Sequence, residues 1–131
     1  MRYLRLWKAL LVFLFIFLPV AVYAAIAGPV VTVDDLEKNL TQAKLVILDV
    51  RKVEEYKAGH IPGSVNVAYG SWAIKKGELL NELPGKEDLI EVIGGAGITA
   101  DSTVVIVGKT DKVPDQFDMT RVAWTLKYMG V

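Results

Sequence analysis

Asp49, Arg51 and His60 are the residues of the first half of this chain whose types and spacing could do chemistry. Asp49 and Arg51 could form a catalytic pair, and His60 could take part in acid–base or metal chemistry. One histidine, the only one in the protein, cannot supply the clustered ligands that a zinc site requires. The favoured role of His60 is therefore structural: it would hold a turn in which Pro62 fixes φ and Gly63 lets the chain reverse.

A second candidate segment lies in the other half of the chain, where Lys109, Thr110 and Lys112 could bind an oxyanion. Three carboxylates oppose them at the same predicted helix start: Asp111, Asp115 and Asp118. The net charge there is negative, which is the wrong sign for an anion site, so solvated loop charge is the favoured interpretation. Thr110 is the only hydroxyl in this loop and has no histidine near it in sequence. A replacement nucleophile is therefore not supported.

The N-terminal residues predict export. Three basic side chains precede residues 9–18, which contain no polar side chain, and Pro19 ends this apolar run before several small residues. This pattern is typical of a secretory signal peptide. Two small-residue cleavage patterns are available, at residues 22–24 and 25–27. The second predicts that residues 1–27 are removed and that a periplasmic or secreted mature protein begins at Gly28. The alternative is an uncleaved membrane anchor at residues 9–27, because this stretch is uncharged and close to the length that spans a bilayer.

Composition excludes some classes of partner. Cleavage would remove three of the 15 basic residues and leave 12 against 15 acidic ones. A mildly acidic chain lacks the basic surface that nucleic acid or anionic lipid attracts, so we expect no nucleic-acid partner and membrane contact only through an uncleaved N-terminal segment. Residues 28–131 are enough for one small domain. The chain contains no cysteine, so a hydrophobic core rather than disulfides must stabilise this domain.

Apolar residues alternate between the strand period and the helix period along this domain. The run at residues 45–50 is apolar except for Asp49, which is typical of a parallel strand covered on both faces. The alternation predicts right-handed βαβ units, hence an α/β fold with a parallel sheet and helices on both faces. The predicted strands are residues 30–32, 45–50, 64–67 and 103–107, and the predicted helices begin at residue 33 or cover residues 54–58, 87–93 and 114–129.

Local signals predict where these helices begin and end. Thr32 is the predicted N-cap of the first helix, and Gly59 is expected to end the second in the left-handed conformation. The third helix is expected to stop at residues 94–95, and Gly130 to cap the last. Residues 68–83 carry weak signals and predict a loop with one irregular helix. The last helix is expected to bury Met119, Val122, Ala123, Leu126 and Met129.

The segment that begins at Asp49 resembles the rhodanese (thiosulfate sulfurtransferase) family. The resemblance rests on Asp49-Val50-Arg51, Glu55-Tyr56 and the run Gly-His-Ile-Pro-Gly-Ser-Val-Asn at residues 59–66. It implies that Asp49 and Arg51 brace a loop above the sheet through charge-assisted hydrogen bonds. It also places Gly108 directly after the strand at residues 103–107, where an active member carries the cysteine that forms a persulfide. The other residues that match the structural motif are Glu55, His60, Pro62, Gly63 and Arg121.

Residues 83–104 and 121–131 look like the N-terminal domain of two-domain sulfurtransferases. In that architecture the first domain commonly lacks the cysteine and the second carries it. The family domain continues with another strand and a closing helix, so the resemblance implies a chain truncated before them. The implied partner is a C-terminal rhodanese domain, with a small sulfur-containing anion as a further candidate ligand and with no cofactor or metal.

These expectations lead to two functional hypotheses. In the first, the chain is the non-catalytic domain of an exported thiosulfate sulfurtransferase and is inactive alone. In the second, it is a stand-alone exported module that binds a small anion or a protein through a degenerate active-site loop. Sequence after Val131 would distinguish them: a second Asp-x-Arg block followed by a cysteine favours the first, and a stop codon favours the second or a degraded gene.

Overall fold

The computed structural model describes residues 28–131, which belong to two compact units that divide after Asn39. The predicted signal peptide, residues 1–27, lies outside the described residues. The described part of the first unit contains helix α1, Val33–Asn39. Thr32 is its N-cap, as predicted: the Thr32 hydroxyl oxygen accepts a hydrogen bond from the Asp35 N–H at 3.1 Å and donates one to the Asp35 carboxylate at 2.7 Å.

The strand predicted at residues 30–32 does not form. Residues 28–30 lie in a bend, and Val30 is 84% exposed. A strand exists through hydrogen bonds to a neighbour, and within residues 28–131 none pairs with this stretch. β-branched composition alone was therefore a wrong indicator here.

The second unit, Leu40–Val131, contains the remaining helices and strands. In chain order they are β1 (Leu45–Asp49), α2 (Val53–Ala58), β2 (Val65–Asn66), a 3-10 helix at Tyr69–Ser71, β3 (Ile74–Lys76), β4 (Leu79–Glu82), α3 (Lys86–Gly95), β5 (Thr103–Val107) and α4 (Val113–Met129).

Three parallel strands form the main sheet, in the order β2-β1-β5. Leu45 pairs with Thr103 at one end and Asp49 with Val107 at the other, while Leu48 pairs with Val65. The predicted α/β fold with a parallel sheet is confirmed. Because β1 and β5 end at the same level, the loops that follow them start side by side at the carboxyl edge of the sheet.

A two-stranded antiparallel hairpin, β3-β4, lies in the region predicted as loop. Lys76 pairs with Leu79, so Gly77 and Glu78 make the turn, and Gly77 has φ +58°. A positive φ is what the tight hairpin turns need at their first central residue, and glycine adopts it without strain. The sequence therefore did contain a hairpin signal, the pair Gly77-Glu78 between the two short segments that form β3 and β4. The irregular helix expected nearby is the 3-10 turn at Tyr69–Ser71.

Two helix ends differ from the prediction. Gly59 follows α2 in an extended conformation, φ 166°, rather than left-handed, because its carbonyl turns to accept a hydrogen bond from the Arg51 guanidinium at 2.9 Å. Helix α3 runs through Gly94 and Gly95, and the left-handed glycine is Gly97, φ +72°. The cap of α4 is as predicted: Gly130 has φ +90° and its N–H donates to the carbonyls of the last turn.

The core of the second unit lies between the sheet, α3 and α4. Its fully buried side chains include Leu48, Trp72, Leu89 and Val122. On α4, Val122 and Leu126 are buried and the two methionines are partly buried, but Ala123 is exposed and Thr125 is buried in its place. The Thr125 hydroxyl donates to the Arg121 carbonyl at 2.9 Å, which satisfies it inside the core. In residues 28–131 the structure has no helix with the length and hydropathy needed to cross a bilayer.

Candidate functional site

A cleft of about 380 Å³ lies at the carboxyl edge of the sheet, between the loops that follow β1 and β5. The Val50 N–H donates to the Val107 carbonyl at 2.9 Å, which holds the two loops together at their origin. Gly108 and Tyr69 contribute to the uncharged wall. The charged lining is balanced, with the basic side chains of Arg51, Lys52, Lys109 and Lys112 against the acidic ones of Glu55, Asp111, Asp115 and Asp118.

Asp49 and Arg51 lie in contact beside this cleft. The Arg51 Nε donates to both carboxylate oxygens of Asp49, at 3.0 and 3.1 Å, and a terminal nitrogen of the guanidinium donates to Oδ2 at 2.6 Å. The Arg51 N–H adds a fourth bond to Asp49 Oδ1 at 3.0 Å. Asp49 is completely buried, and its hydrogen bonds and charge raise the pKa of Arg51 above its ordinary value. A buried carboxylate thus keeps its full set of charge-assisted bonds.

Asn66 completes this arrangement, although the sequence did not single it out. Its side-chain amide donates to the carbonyls of Asp49 and Arg51, both at 2.9 Å. These bonds hold the end of β2 against the start of the loop after β1. The sequence did contain a signal for this role: Asn66 is a polar residue near the end of a predicted strand, and it belongs to the family motif at residues 59–66.

His60 lies outside the cleft lining, in the turn that the sequence predicted. Its ring stacks on Tyr56 with centroids 3.9 Å apart, and Nδ1 lies 2.9 Å from the Tyr56 carbonyl oxygen. The Tyr56 hydroxyl donates to the Ser64 carbonyl at 2.6 Å, across the turn that Pro62 and Gly63 form. Gly63 has φ +81°, the left-handed value that the third position of a type II turn needs.

Glu55 and Lys109 form an ion pair between α2 and the loop after β5. Its hydrogen bond with Lys109 lowers the pKa of Glu55, and the same bond raises the pKa of Lys109. Glu55 also accepts a hydrogen bond from the Lys52 N–H at 3.2 Å. Of the three residues proposed to bind an anion, Lys109 and Lys112 line the cleft and Thr110 does not. Lys109 is engaged by a carboxylate of this chain.

Gly108 lies where β5 ends, and a side chain added there would have to displace the side chain of Met119. A Cβ built there would lie 2.6 Å from Met119 Cγ, 2.7 Å from Met119 Sδ and 3.4 Å from a methyl of Val50. Real Cβ atoms essentially never come within 3.0 Å of another heavy atom, so Met119 would have to shift. The side chain of Met119, from the second turn of α4, thus fills the space at the position where the resemblance places a cysteine.

Tyr69 and Asp118 are cleft residues that the sequence did not single out for function. Burial raises the pKa of Tyr69, with a smaller contribution from the Asp118 charge. Burial, then the charge of Asp115, raises the pKa of Asp118, and the neighbouring Tyr69 side chain opposes this rise. No thiol lies beside these two groups, because the chain contains no cysteine.

Arg121 does not line the cleft, although its charge acts on the cleft residue Tyr69 and opposes the rise in the pKa of that tyrosine. One of its terminal nitrogens donates to the carbonyl of Asn81, a β4 residue with φ +60°, and so links α4 to the hairpin. Its role is thus a contact between elements of the second unit. In residues 28–131, no three histidine, aspartate or glutamate side chains are grouped so as to hold a metal ion.

Comparisons with known proteins agree with the geometry. The model of the rhodanese-like domain family matches residues 32–131. A putative thiosulfate sulfurtransferase of Synechococcus elongatus is 33% identical over 95 residues, which cover 72% of this chain and 29% of that protein. A thiosulfate/3-mercaptopyruvate sulfurtransferase of Arabidopsis thaliana is 30% identical over 111 residues, covering 78% of this chain and 31% of that protein.

A third relative carries a different kind of name. An HTH-type transcriptional regulator of Mycobacterium tuberculosis is 31% identical over 102 residues, which cover 77% of this chain and 43% of that protein. The chain therefore spans less than half the length of each of these three relatives. The family model covers most of the described residues, and the parallel sheet and the Asp49–Arg51 motif lie within it. The chain belongs to the rhodanese-like domain family.

Proposed function

We propose that this chain is the non-catalytic rhodanese-like domain of an exported thiosulfate sulfurtransferase, whose sulfur transfer takes place on a cysteine of a second domain. The observation that carries the proposal is Gly108: it follows β5, where the resemblance places the family cysteine, and Met119 fills the space that a cysteine side chain would need. The chain has no cysteine at any other position.

The chemistry of sulfur transfer explains why this position matters. A thiolate attacks the outer sulfur of thiosulfate, forms a persulfide and releases sulfite. A hydroxyl is a much weaker nucleophile, and Thr110, the hydroxyl of the loop, does not line the cleft. Lys109, a cation that could attract the anion, is paired with Glu55. The cleft thus offers neither the nucleophile nor an excess of positive charge.

The relatives support a role within a longer protein. Two of them are named as sulfurtransferases, and this chain covers about a third of each. A domain without the nucleophile would contribute a folded scaffold and one wall of the cleft used by the catalytic domain.

Activity measurements test the proposal directly. The purified chain should not convert thiosulfate and cyanide to thiocyanate above the background rate. Gly108→Cys combined with Met119→Ala, which opens the space for the new side chain, should gain one sulfur atom in mass on incubation with thiosulfate and turn over weakly. Gly108→Ser with Met119→Ala is the matched control and should do neither. Turnover by the unmodified chain contradicts the proposal, and a folded double variant that takes up no sulfur contradicts the position assigned to Gly108.

Export is tested separately. N-terminal sequencing of the protein recovered outside the cytoplasm should give a mature chain that begins near Gly28. An intact Met1 in the membrane fraction would instead support the anchor at residues 9–27.

A second candidate function is a binding module without any part in sulfur transfer. It is favoured by one observation, that a region similar to this chain occurs in a protein named as a transcriptional regulator. The sequence of the gene beyond codon 131 separates the two. A second rhodanese-like block with a cysteine after its corresponding strand supports the sulfurtransferase, and a stop codon supports the binding module.

A further inference from the structure

Helix α4 carries a row of large apolar side chains that face solvent. Val113, Phe117, Trp124 and Tyr128 are 61%, 66%, 66% and 73% exposed, and we call these four residues the α4 stripe. At 3.6 residues per turn, positions 113, 117, 124 and 128 fall on one narrow face of the helix. Thr120, a small exposed residue, lies on the same face between the second and the third.

The core does not account for this stripe. The residues with which α4 contributes to the core, Val122 and Leu126, lie on another face of the helix. Scattered exposed apolar residues are ordinary on a protein surface, but three aromatic side chains in one row are not. Aromatic residues are also the ones most enriched where proteins contact each other.

We propose that the α4 stripe is a self-association surface, on which a second copy of this chain packs its own α4 in antiparallel orientation. The spacing carries the proposal. Val113 and Tyr128 are equally far from the midpoint between Thr120 and Arg121, and so are Phe117 and Trp124. A twofold axis at that midpoint therefore places Phe117 against Trp124 of the second copy, and Val113 against Tyr128. An isologous interface requires this kind of self-complementary pattern.

The size of the surface fits such a pair. With about two thirds of each ring exposed, the stripe offers on the order of 500 Å² per copy, since a buried aromatic side chain covers roughly 150–250 Å². Two copies would bury about 1,000 Å², which reaches the lower limit for a specific interface. Thr120 at the crossing point lets the two helix backbones approach closely.

The helix dipoles also favour the antiparallel arrangement. Antiparallel packing sets the dipoles of the two helices in opposition, whereas a parallel pair would align them. The Lys127 ammonium lies 5.5 Å from the Trp124 ring centroid, so a cation lies beside the aromatic surface of the stripe. The proposal does not depend on the function of the cleft.

Sedimentation of the purified full chain tests the surface. The chain should form a dimer, and Trp124→Glu should weaken self-association at least roughly tenfold, as expected for an aromatic residue at the centre of an interface. Phe117→Glu should do the same, and circular dichroism should stay unchanged because both positions are exposed. Leu79→Glu is the matched control, an exposed apolar residue in β4, and should leave the dimer intact.

Disulfide cross-linking tests the orientation of the two helices. Because the chain has no native cysteine, only the introduced cysteines can form a cross-link. In a mixture of Phe117→Cys and Trp124→Cys chains, oxidation should link position 117 to position 124 in preference to linking either position to itself. Glu91→Cys, on the exposed side of α3, should remain unlinked. A monomeric wild-type chain, a dimer unaffected by Trp124→Glu, or links between like positions would each overturn the proposal. So would a monomer that binds phosphatidylglycerol vesicles through Trp124, which would identify the stripe as a membrane contact.

Discussion

The loops that follow β1 and β5 begin side by side, yet they are held in very different ways. The loop after β1 is fixed by the bonds of Arg51 to Asp49 and Gly59 and by those of Asn66 to the carbonyls of Asp49 and Arg51. The loop after β5 is held to α2 by the ion pair of Lys109 and Glu55, whose side chains are 45% and 29% exposed. The first loop is thus tied to a fully buried carboxylate, and the second by a pair in which both side chains reach solvent.

The difference between the two loops distinguishes residues that stabilise the fold from a position at which the reaction would take place. The residues that match the family around β1 satisfy a buried carboxylate and the turn that follows α2. Where the resemblance places the nucleophile, directly after β5, this chain has a glycine with Met119 packed over it. A fold can lose its reacting atom at little cost to stability, because that atom holds nothing together, whereas it cannot lose the partner of a buried charge.

The largest expected effect comes from Arg51→Ala. It leaves the buried Asp49 carboxylate without its guanidinium, which should lower the free energy of unfolding by about 2 to 4 kcal/mol. Urea midpoints measure this loss. Lys57→Ala, an exposed cation on α2, is the control and should change the midpoint little.

Kinetics of a full-length sulfurtransferase would sharpen the result for Arg51. If the residue is architectural, stability falls before any rate does. An unchanged midpoint with a many-fold lower rate of sulfur transfer would show that Arg51 contacts the substrate or the partner domain, and the contrast between the two loops would be wrong.

An intermediate effect is expected at Gly108. Gly108→Ala forces a Cβ into Met119 and should lower the free energy of unfolding by about 1 to 2 kcal/mol. Combined with Met119→Ala, the same substitution should cost much less than in the wild-type background, because the space is then free. Thermal or urea denaturation of the wild type, the two single variants and the double variant gives the coupling free energy between positions 108 and 119. Strictly additive losses would mean that Met119 does not fill the position.

The smallest effect is expected from Lys109→Met. The pKa of Glu55 is lowered, so the contribution of the pair is present above the ordinary glutamate pKa and is lost as the pH falls through the lowered value. The pKa of Lys109 is raised, so its contribution is present below the ordinary lysine pKa and is lost as the pH rises through the raised value. Because both groups reach solvent, the urea midpoint at neutral pH should hardly change.

An NMR titration gives the sharper readout for this pair. The pKa of Glu55 should rise toward its ordinary value in Lys109→Met and stay unchanged in Lys112→Met. A Glu55 pKa that is the same in all three proteins would mean that the ion pair is not formed in solution.

Much of the secondary structure, and the family, could be predicted from the sequence. The continuous apolar runs identified β1 and β5 almost to the residue, and Thr32 and Gly130 marked helix ends correctly, since these signals are local. The Asp-x-Arg and Gly-His-Ile-Pro spacing identified the family, and the lack of cysteine excluded a persulfide on this chain. All of these depend on residue type and on neighbours within a few positions.

Other features were decided by contacts between distant residues. Gly59 is extended rather than left-handed because its carbonyl meets Arg51. Asn66 can donate to the carbonyls of Asp49 and Arg51 only because β2 pairs with β1. The strand expected at residues 30–32 finds no neighbouring strand to bond within residues 28–131. Met119 lies over Gly108 because α4 folds back along the sheet, which no local pattern states. Local propensity sets which conformations a segment can adopt, and tertiary hydrogen bonding and packing select among them.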